Sequence, residues 1–225
     1  MILPMDNHKT GAVLWDMDGV LVDTGEFHFH AWSETLGEHD IPFNRERFRA
    51  TFGMNNAGIL SVLLGRTPAP ELLAEIGDKK EERFRQAVRG RAQLLPGVLG
   101  WLERLAAMGV RQAIASSAPL ANIDALVAEL GMRAHFQAVV SGFDLPGKPD
   151  PAVLLRAGSL IDVPPERCVV VEDAVAGVEA AKRAGMRVIA VTNTNPAGAL
   201  KAADLVVERL DALREDAFER LWAGR

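Results

Sequence analysis

The sequence predicts an α/β fold: a doubly wound parallel sheet of the Rossmann kind with one helical insertion. Three observations predict it. Short apolar, β-branched runs recur along the chain and most end on a polar residue, which suits strands covered on both faces. The segments between them have amphipathic helical periodicity and close on glycine. The alternation then fails between about residues 24 and 92, where the pattern is helical and no strand can be read. Strand and helix in turn argue for a parallel sheet, and the break argues for helices inserted after the first strand.

The elements follow in order. Gly11–Trp15 is the first strand and ends at Asp16. The insertion comes next, with polar loops around Gly37–Pro42 and Gly65–Pro70. Pro96-Gly97 opens a helix in which Val98, Trp101, Leu102 and Leu105 share a face, and Gly109 closes it. Val110–Ala115 is a strand ending at Ser116, and Asn122–Leu130 is a helix closed by Gly131. Ala138–Ser141 is a strand before a glycine-rich loop. Cys168–Val171 is a strand that runs into Glu172-Asp173, and the helix Ala174–Ala184 closes at Gly185. Val188–Val191 ends at Thr192, and Leu205–Val207 is a weaker sixth strand. Residues 1–23 and 93–225 are thus expected to form the core, and 24–92 the insertion.

Composition narrows the class. The 225 residues are 48% apolar and 24% charged, with a net charge of −5, the proportions of a globular protein able to bury a large core. No charge excess points to nucleic acid. No apolar run is long enough to span a bilayer, and Met1–Lys9 is too polar for a signal peptide. The single cysteine, Cys168, excludes an internal disulfide and a four-cysteine zinc site, and is expected in the core. A soluble, monomeric, cytoplasmic protein is the expectation. Its charge is uneven. Residues 45–91 hold ten Lys or Arg against six Asp or Glu, a balance of +4, which leaves −9 for the rest. This predicts an acidic core and a basic insertion turned toward an anionic ligand.

In a doubly wound sheet, ligands bind beyond the carboxyl ends of the strands. Four polar clusters fall there. Asp16-Met17-Asp18-Gly19 offers two carboxylates that can share a hard cation, or a solvated turn. Ser116-Ser117 can bond an oxyanion or cap a helix. Gly147-Lys148-Pro149-Asp150-Pro151 presents one ammonium from a stiff loop, which is more often simply solvated. Glu172-Asp173 can ligate metal or serve the dipole of the next helix. Each is weak alone, but their order at successive strand ends makes coincidence a poor explanation.

Asp16 to Thr24 (Asp-x-Asp-Gly-Val-Leu-Val-Asp-Thr), Ser116, Lys148 and Val171 to Gly177 (Val-Glu-Asp-Ala-x-Ala-Gly) together resemble the four ordered motifs of the haloacid dehalogenase superfamily. The resemblance is closest to its β-phosphoglucomutase-like branch, which has a helical cap after the first motif. It implies that Asp16 is a nucleophile forming an aspartyl-phosphate and that Asp18 is a general acid and then base. It implies Mg²⁺ held by Asp16, the Asp18 backbone carbonyl and Asp173, with Glu172 either on the ion itself or just behind its ligands. Ser116 and the Ser117 amide would hold phosphoryl oxygens, and Lys148 would neutralise charge on the transferring group. Asp18 itself favours phosphate esters, since the superfamily's dehalogenating and phosphonate-cleaving members lack an acid there.

The residues expected to face substrate are Gly19, Thr24, His28, Asn56, Lys80 and Ser117. His28 matches a cap histidine of the mutases, set against a half-buried helix histidine. Lys80 matches a cap lysine, set against a solvated charged face. One departure matters: Asn56 stands where the mutases carry an Arg that grips a second phosphate, and Asn cannot form that bidentate pair. Arg66 is the nearby alternative. The implied activity is a Mg²⁺-dependent phosphatase for a small phosphorylated metabolite, with a sugar phosphate as the expected class. A β-phosphoglucomutase-type phosphotransferase and a non-catalytic phosphometabolite sensor are the alternatives. The cap is expected to hinge near Thr24–Gly25 and Ala92–Pro96 and to close during turnover.

Overall fold

The structure, a computed structural model, describes residues 11–224. Met1–Lys9, expected to lack an export signal, lies outside the described residues. Six parallel strands form one sheet: β1 (Ala12–Trp15), β2 (Arg111–Ser116), β3 (Ala138–Ser141), β4 (Cys168–Glu172), β5 (Arg187–Val191) and β6 (Leu205–Val207), in the order β3-β2-β1-β4-β5-β6. β1 is flanked by β2 and β4, with Trp15 opposite Ile114 on one side and Val171 on the other. That register brings the carboxyl ends of these three strands level, and Asp16, Ser116 and Glu172 meet there.

The continuous apolar runs are explained by burial on both faces. Side chains alternate across a strand, so Val13 and Trp15 pack on one face and Ala12 and Leu14 on the other. The first face is covered by α5 (Val98–Ala107), α6 (Leu120–Glu129) and α9 (Ala217–Ala223), through Leu102, Ile123 and Phe218. The second is covered by α7 (Ala152–Leu160) and α8 (Val175–Arg183), through Val153, Leu154 and Val178. Each such side chain, fully buried, contributes about 1.5–3 kcal/mol. Trp15 donates from its indole nitrogen to Gln112 Oε1 at 3.1 Å, a core role. Cys168 is buried, which pushes its thiol up to about 12, and this suits a packing role.

Two helices, α7 and α9, were not legible in the sequence. Gly158 and Ser159 dilute the helical preference of α7, and α9 is only two turns long, with Ala217 and Phe218 buried and Glu219, Arg220 and Ala223 exposed. Both form because the sheet buries one face of each, through Val153 and Leu154 of α7 and Phe218 of α9.

Between Trp15 and Arg111 no strand occurs, as expected. Four helices fill the insertion: α1 (Gly25–Gly37), α2 (Arg45–Thr51), α3 (Asn56–Leu64) and α4 (Pro70–Val88). Three of them, α1, α3 and α4, share a small core of Trp32, Leu36, Ile59, Leu60 and Ile76. The two chain crossings between core and cap run side by side. Asp23 N donates to Gln93 O at 3.2 Å and Leu95 N to Leu21 O at 3.0 Å. Among the described residues, no helix is long and apolar enough to cross a membrane.

Candidate active site

Asp16 is the first residue past β1, where its backbone N–H donates to Val171 O at 3.0 Å. The chain then turns sharply, with Leu21 and Val22 N–H both donating to Met17 O. Gly19 makes that turn at φ +80°, and a Cβ there would lie 2.0 Å from Asp173 Oδ2. Only glycine fits between the turn and the acid behind it.

Lys148 reaches into this corner. It is 4% exposed and donates to Asp16 Oδ1 at 2.5 Å and to Glu172 Oε1. Glu172 Oε2 accepts from the backbone N–H groups of Asp173 (2.9 Å) and Ala174 (3.1 Å), at the start of α8. A Cβ at Gly177 would sit 1.8 Å from Glu172 Oε1, which explains the glycine at the end of that motif. Ligand atoms of Asp16, Glu172 and Asp173 lie within 4.8 Å of one another, all buried.

This crowding sets the electrostatics. Burial pushes Asp16 up, Lys148 pulls it back, and Glu172 and Asp18 push again, leaving it at about 7. Burial, with Glu172 and Asp16 behind it, raises Asp173 well above the carboxylate range. Burial disfavours the charge on Lys148, but Asp16 and Glu172 outweigh it and raise its pKa. One ammonium facing three buried carboxylates leaves negative charge uncompensated. An oxygen-lined, charge-deficient corner of this kind fits a hard divalent cation.

Asp18 points elsewhere. Its Oδ1 accepts from the Thr24 hydroxyl at 2.5 Å and pairs with His28 Nε2 at 3.0 Å. Burial pushes Asp18 up, but His28, Thr24 and Lys80 outweigh it and hold it below the usual range. Lys80 Nζ lies 3.0 Å from His28 Nδ1. An ammonium can only donate there, so His28 carries its proton on Nε2 and donates to Asp18. The imidazole also stacks on Phe84, with centroids 3.9 Å apart.

Between core and cap lies a cavity of about 50 Å³. Of the residues singled out in the sequence, it brings together Asp16, Asp18, His28, Asn56, Lys80, Ser116 and Ser117. Lys148, Glu172 and Asp173 stand behind Asp16, outside the lining. Thr24 is fully buried with its hydroxyl given to Asp18, and Gly19 backs Asp173, so neither faces the cavity. Ser116 Oγ accepts from Ala118 N–H at 3.1 Å in a local turn that ends before α6 begins, so it does not cap that helix, and its own hydroxyl proton remains for a ligand. Ser117 Oγ donates across to Gly53 O of the cap at 3.0 Å. Arg66 is exposed at the far end of α3 and does not line the cavity.

Two expectations about the cap change. Lys80 is 3% exposed and held by His28 and Glu81, so it is no solvated face. The basic balance of the cap, in contrast, is not turned toward the ligand. Arg45, Arg47, Arg49, Arg66, Lys79, Arg89 and Arg91 are exposed, and Arg45 and Lys79 pair with Glu26 and Glu38 on the outer surface. Summed charge carries no direction, and only Lys80 of that excess reaches the cavity.

One contributing loop was missed. After β5, Asn193 Nδ2 donates to Gly19 O at 2.8 Å, Thr194 Oγ1 donates to Asp173 Oδ2, and Asn195 Nδ2 donates to Asp173 O at 3.0 Å. The available signal was a Thr-Asn-Thr-Asn run directly after a buried strand.

A family model described as haloacid dehalogenase-like hydrolase matches residues 10–185. The chain is 32% identical over 219 residues to a β-phosphoglucomutase of Bacillus subtilis (strain 168), covering 94% of this chain and 95% of that protein. It is 30% identical over 212 residues to a phosphorylated carbohydrates phosphatase of Thermotoga maritima, covering 91% and 98%. Among solved structures it is similar to CbbY of Rhodobacter sphaeroides in complex with xylulose-(1,5)bisphosphate. There the TM-score is 0.81 and the identity 30%, over 91% of this chain and 96% of that one.

Proposed function

We propose a function from one premise: the chain belongs to the haloacid dehalogenase-like hydrolases, in their β-phosphoglucomutase-like branch, and is an enzyme. It is a phosphatase acting on a small phosphorylated metabolite, with sugar phosphates as the favoured class, and the likeness to the Thermotoga phosphorylated carbohydrates phosphatase supports this. The observation that carries it is one cavity in which Asp16, buttressed by Lys148, and Asp18, held by His28 and Thr24, share a wall with Ser116.

Asp16 Oδ attacks phosphorus, and the bond from phosphorus to the leaving oxygen breaks as Asp18 delivers a proton to that oxygen. The bound phosphoryl group adds negative charge beside Asp18 and pushes its carboxyl back up, as an acid requires. Asp18 then takes a proton from water, which attacks phosphorus and frees Asp16 and inorganic phosphate. Ser116 donates to a phosphoryl oxygen, and Lys148 offsets charge on Asp16. Mg²⁺ would be held by Asp16, Glu172 and Asp173 together with the Asp18 carbonyl, and when bound it supplies charge neutralisation between nucleophile and phosphate.

The cavity of about 50 Å³ has room for about three to five waters, at roughly 10–15 Å³ each. A sugar phosphate therefore enters only when the cap swings away, and we take residues 24–92 as the moving part and the paired crossings at Asp23 and Leu95 as its hinge. Both sides of the site come from one chain, which suits a monomer, and a cytoplasmic metabolite is the substrate we assign.

The Bacillus relative favours a second reading, a phosphomutase. Asn56 argues against it, because its amide donates to Glu81 at 3.0 Å and offers no guanidinium. Phosphate release from p-nitrophenyl phosphate with Mg²⁺, absent in Asp16→Asn, tests for turnover and excludes a mere sensor. Conversion of β-glucose 1-phosphate to glucose 6-phosphate faster than phosphate release would make the enzyme a mutase.

A further inference from the structure

Glu81 takes no part in the chemistry above, yet it is 5% exposed and lines the cavity on its cap side. Its Oε1 accepts from Lys80 Nζ at 2.9 Å and from Asn56 Nδ2 at 3.0 Å. Its Oε2 accepts from Asn122 Nδ2 at 2.5 Å, across the divide between cap and core. Arg85 holds Asn122 in turn, donating to its Oδ1 at 2.9 Å. A carboxylate receiving three donors is fixed in place as an anion. Burial alone would raise its pKa, but Lys80, His28 and Asn56 outweigh that and hold it low.

Lys80 is the one Lys or Arg among the residues lining the cavity. Lys148, behind Asp16, is already shared by Asp16 and Glu172. The cap wall therefore carries one cation and one adjacent anion, and its remaining surface is largely apolar, with Trp32, Phe52 and Ile59.

We infer that Glu81 is a specificity-determining residue that cancels the charge of Lys80 and so turns away substrates with a second phosphate. The inference rests on the phosphatase reading and deepens it. A distal phosphate would meet a carboxylate and no uncommitted cation, at a site where desolvation strengthens the repulsion. A neutral, hydroxyl-bearing end would instead donate to Glu81 and to the Asn56 carbonyl while its carbon face rests on the aromatic wall. The substrate class is a monophosphate ester of an uncharged polyhydroxy compound.

The test measures inhibition of p-nitrophenyl phosphate hydrolysis by fructose 6-phosphate and by fructose 1,6-bisphosphate. The wild-type enzyme is expected to favour the monophosphate at least tenfold in Ki. Glu81→Gln keeps the shape and frees Lys80, so it should narrow that preference at least tenfold, through the bisphosphate. Asn56→Lys, measured alongside, adds a cation to the same wall with Glu81 in place and should shift the ratio the same way even if Glu81→Gln does not fold. Asn122→Ala removes a partner and no charge, and should leave the ratio within twofold. A wild-type enzyme without the preference, or a ratio unmoved in both charge variants, overturns the inference. If the wild-type protein releases no phosphate from any ester, the phosphatase reading fails instead. The charge filter is then read from calorimetric Kd values for the same two sugars with Mg²⁺.

Discussion

The two walls of the cavity are built by different means. On the core side, Asp16 and Ser116, with Glu172 behind Asp16, stand at the ends of adjacent strands, and the sheet register brings them level. On the cap side, His28 and Lys80 are 52 residues apart and meet only because α1 packs on α4. Asn56 and Glu81, 25 apart, meet through the packing of α3 on α4. The core wall is set by the hydrogen-bonded register of the sheet, the cap wall by side-chain packing among the helices of the insertion. Errors in the core wall should therefore abolish chemistry, and errors in the cap wall should change how well, or on what, it is done.

The largest effects test the core. Asp16→Asn removes the nucleophile and is expected to lower kcat by at least about 10⁴-fold, on the scale of other nucleophile deletions. Lys148→Ala strips Asp16 and Glu172 of their buried counter-charge and should cost on the order of 10³-fold. Steady-state hydrolysis of p-nitrophenyl phosphate checks both. Near-normal turnover in either variant would sink the assignment of the nucleophile corner.

Asp18 belongs to the core by sequence and to the cap by its contacts with Thr24 and His28, so it joins the two walls. Asp18→Asn should cost about 10²–10⁴-fold, the range of a general acid–base residue. His28→Ala leaves the carboxylate in place and still held by the Thr24 hydroxyl, so its loss should be smaller, about tenfold. If His28→Ala proved as damaging as Asp18→Asn, the imidazole would be carrying the proton itself.

What could be read in the sequence follows the same divide. The strand-end residues were legible because a doubly wound sheet gives such positions one destination, and Gly19 and Gly177 mark where backbone and acid come too close for a side chain. The cap was legible as helices but not as a wall. Lys79-Lys80-Glu81-Glu82 gives no sign, read linearly, that Lys80 and Glu81 are buried while their neighbours are exposed. The α4 hydrophobic face that decides it depends on Ile76, Phe84 and Val88 meeting partners elsewhere in the chain. Thr194 was hidden for a similar reason: its hydroxyl acquires meaning only because β5 sets it against Asp173.

Thr194→Val tests that contact by metal affinity. Partners that orient a ligand commonly contribute 10–100-fold to metal binding. A roughly tenfold weaker Mg²⁺ dependence, read by calorimetry as well as by activation, is expected. Unchanged Mg²⁺ affinity would mean that Asp173 is held well enough by the backbone and Asn195.

The smallest effect separates the walls by pH. In the metal-free protein Asp16 titrates at about 7, against an ordinary value of 3.8, and Asp173 is raised as well. Between the ordinary and the raised values the folded protein keeps protons that the unfolded chain has released. Its stability therefore falls as pH rises from about 4 to about 7. A divalent cation replaces those protons, so it should stabilise more at pH 7.5 than at pH 5. At a hundredfold excess over Kd the gain is about 2.7 kcal/mol, which corresponds to a Tm rise of roughly 5–10 °C for a chain of this size. The difference should vanish in Asp173→Asn and persist in Glu81→Gln, because the first removes a carboxylate of the metal corner and the second lies across the cavity. A Mg²⁺ shift equal at both pH values would show that the three acids do not bind the ion in exchange for protons.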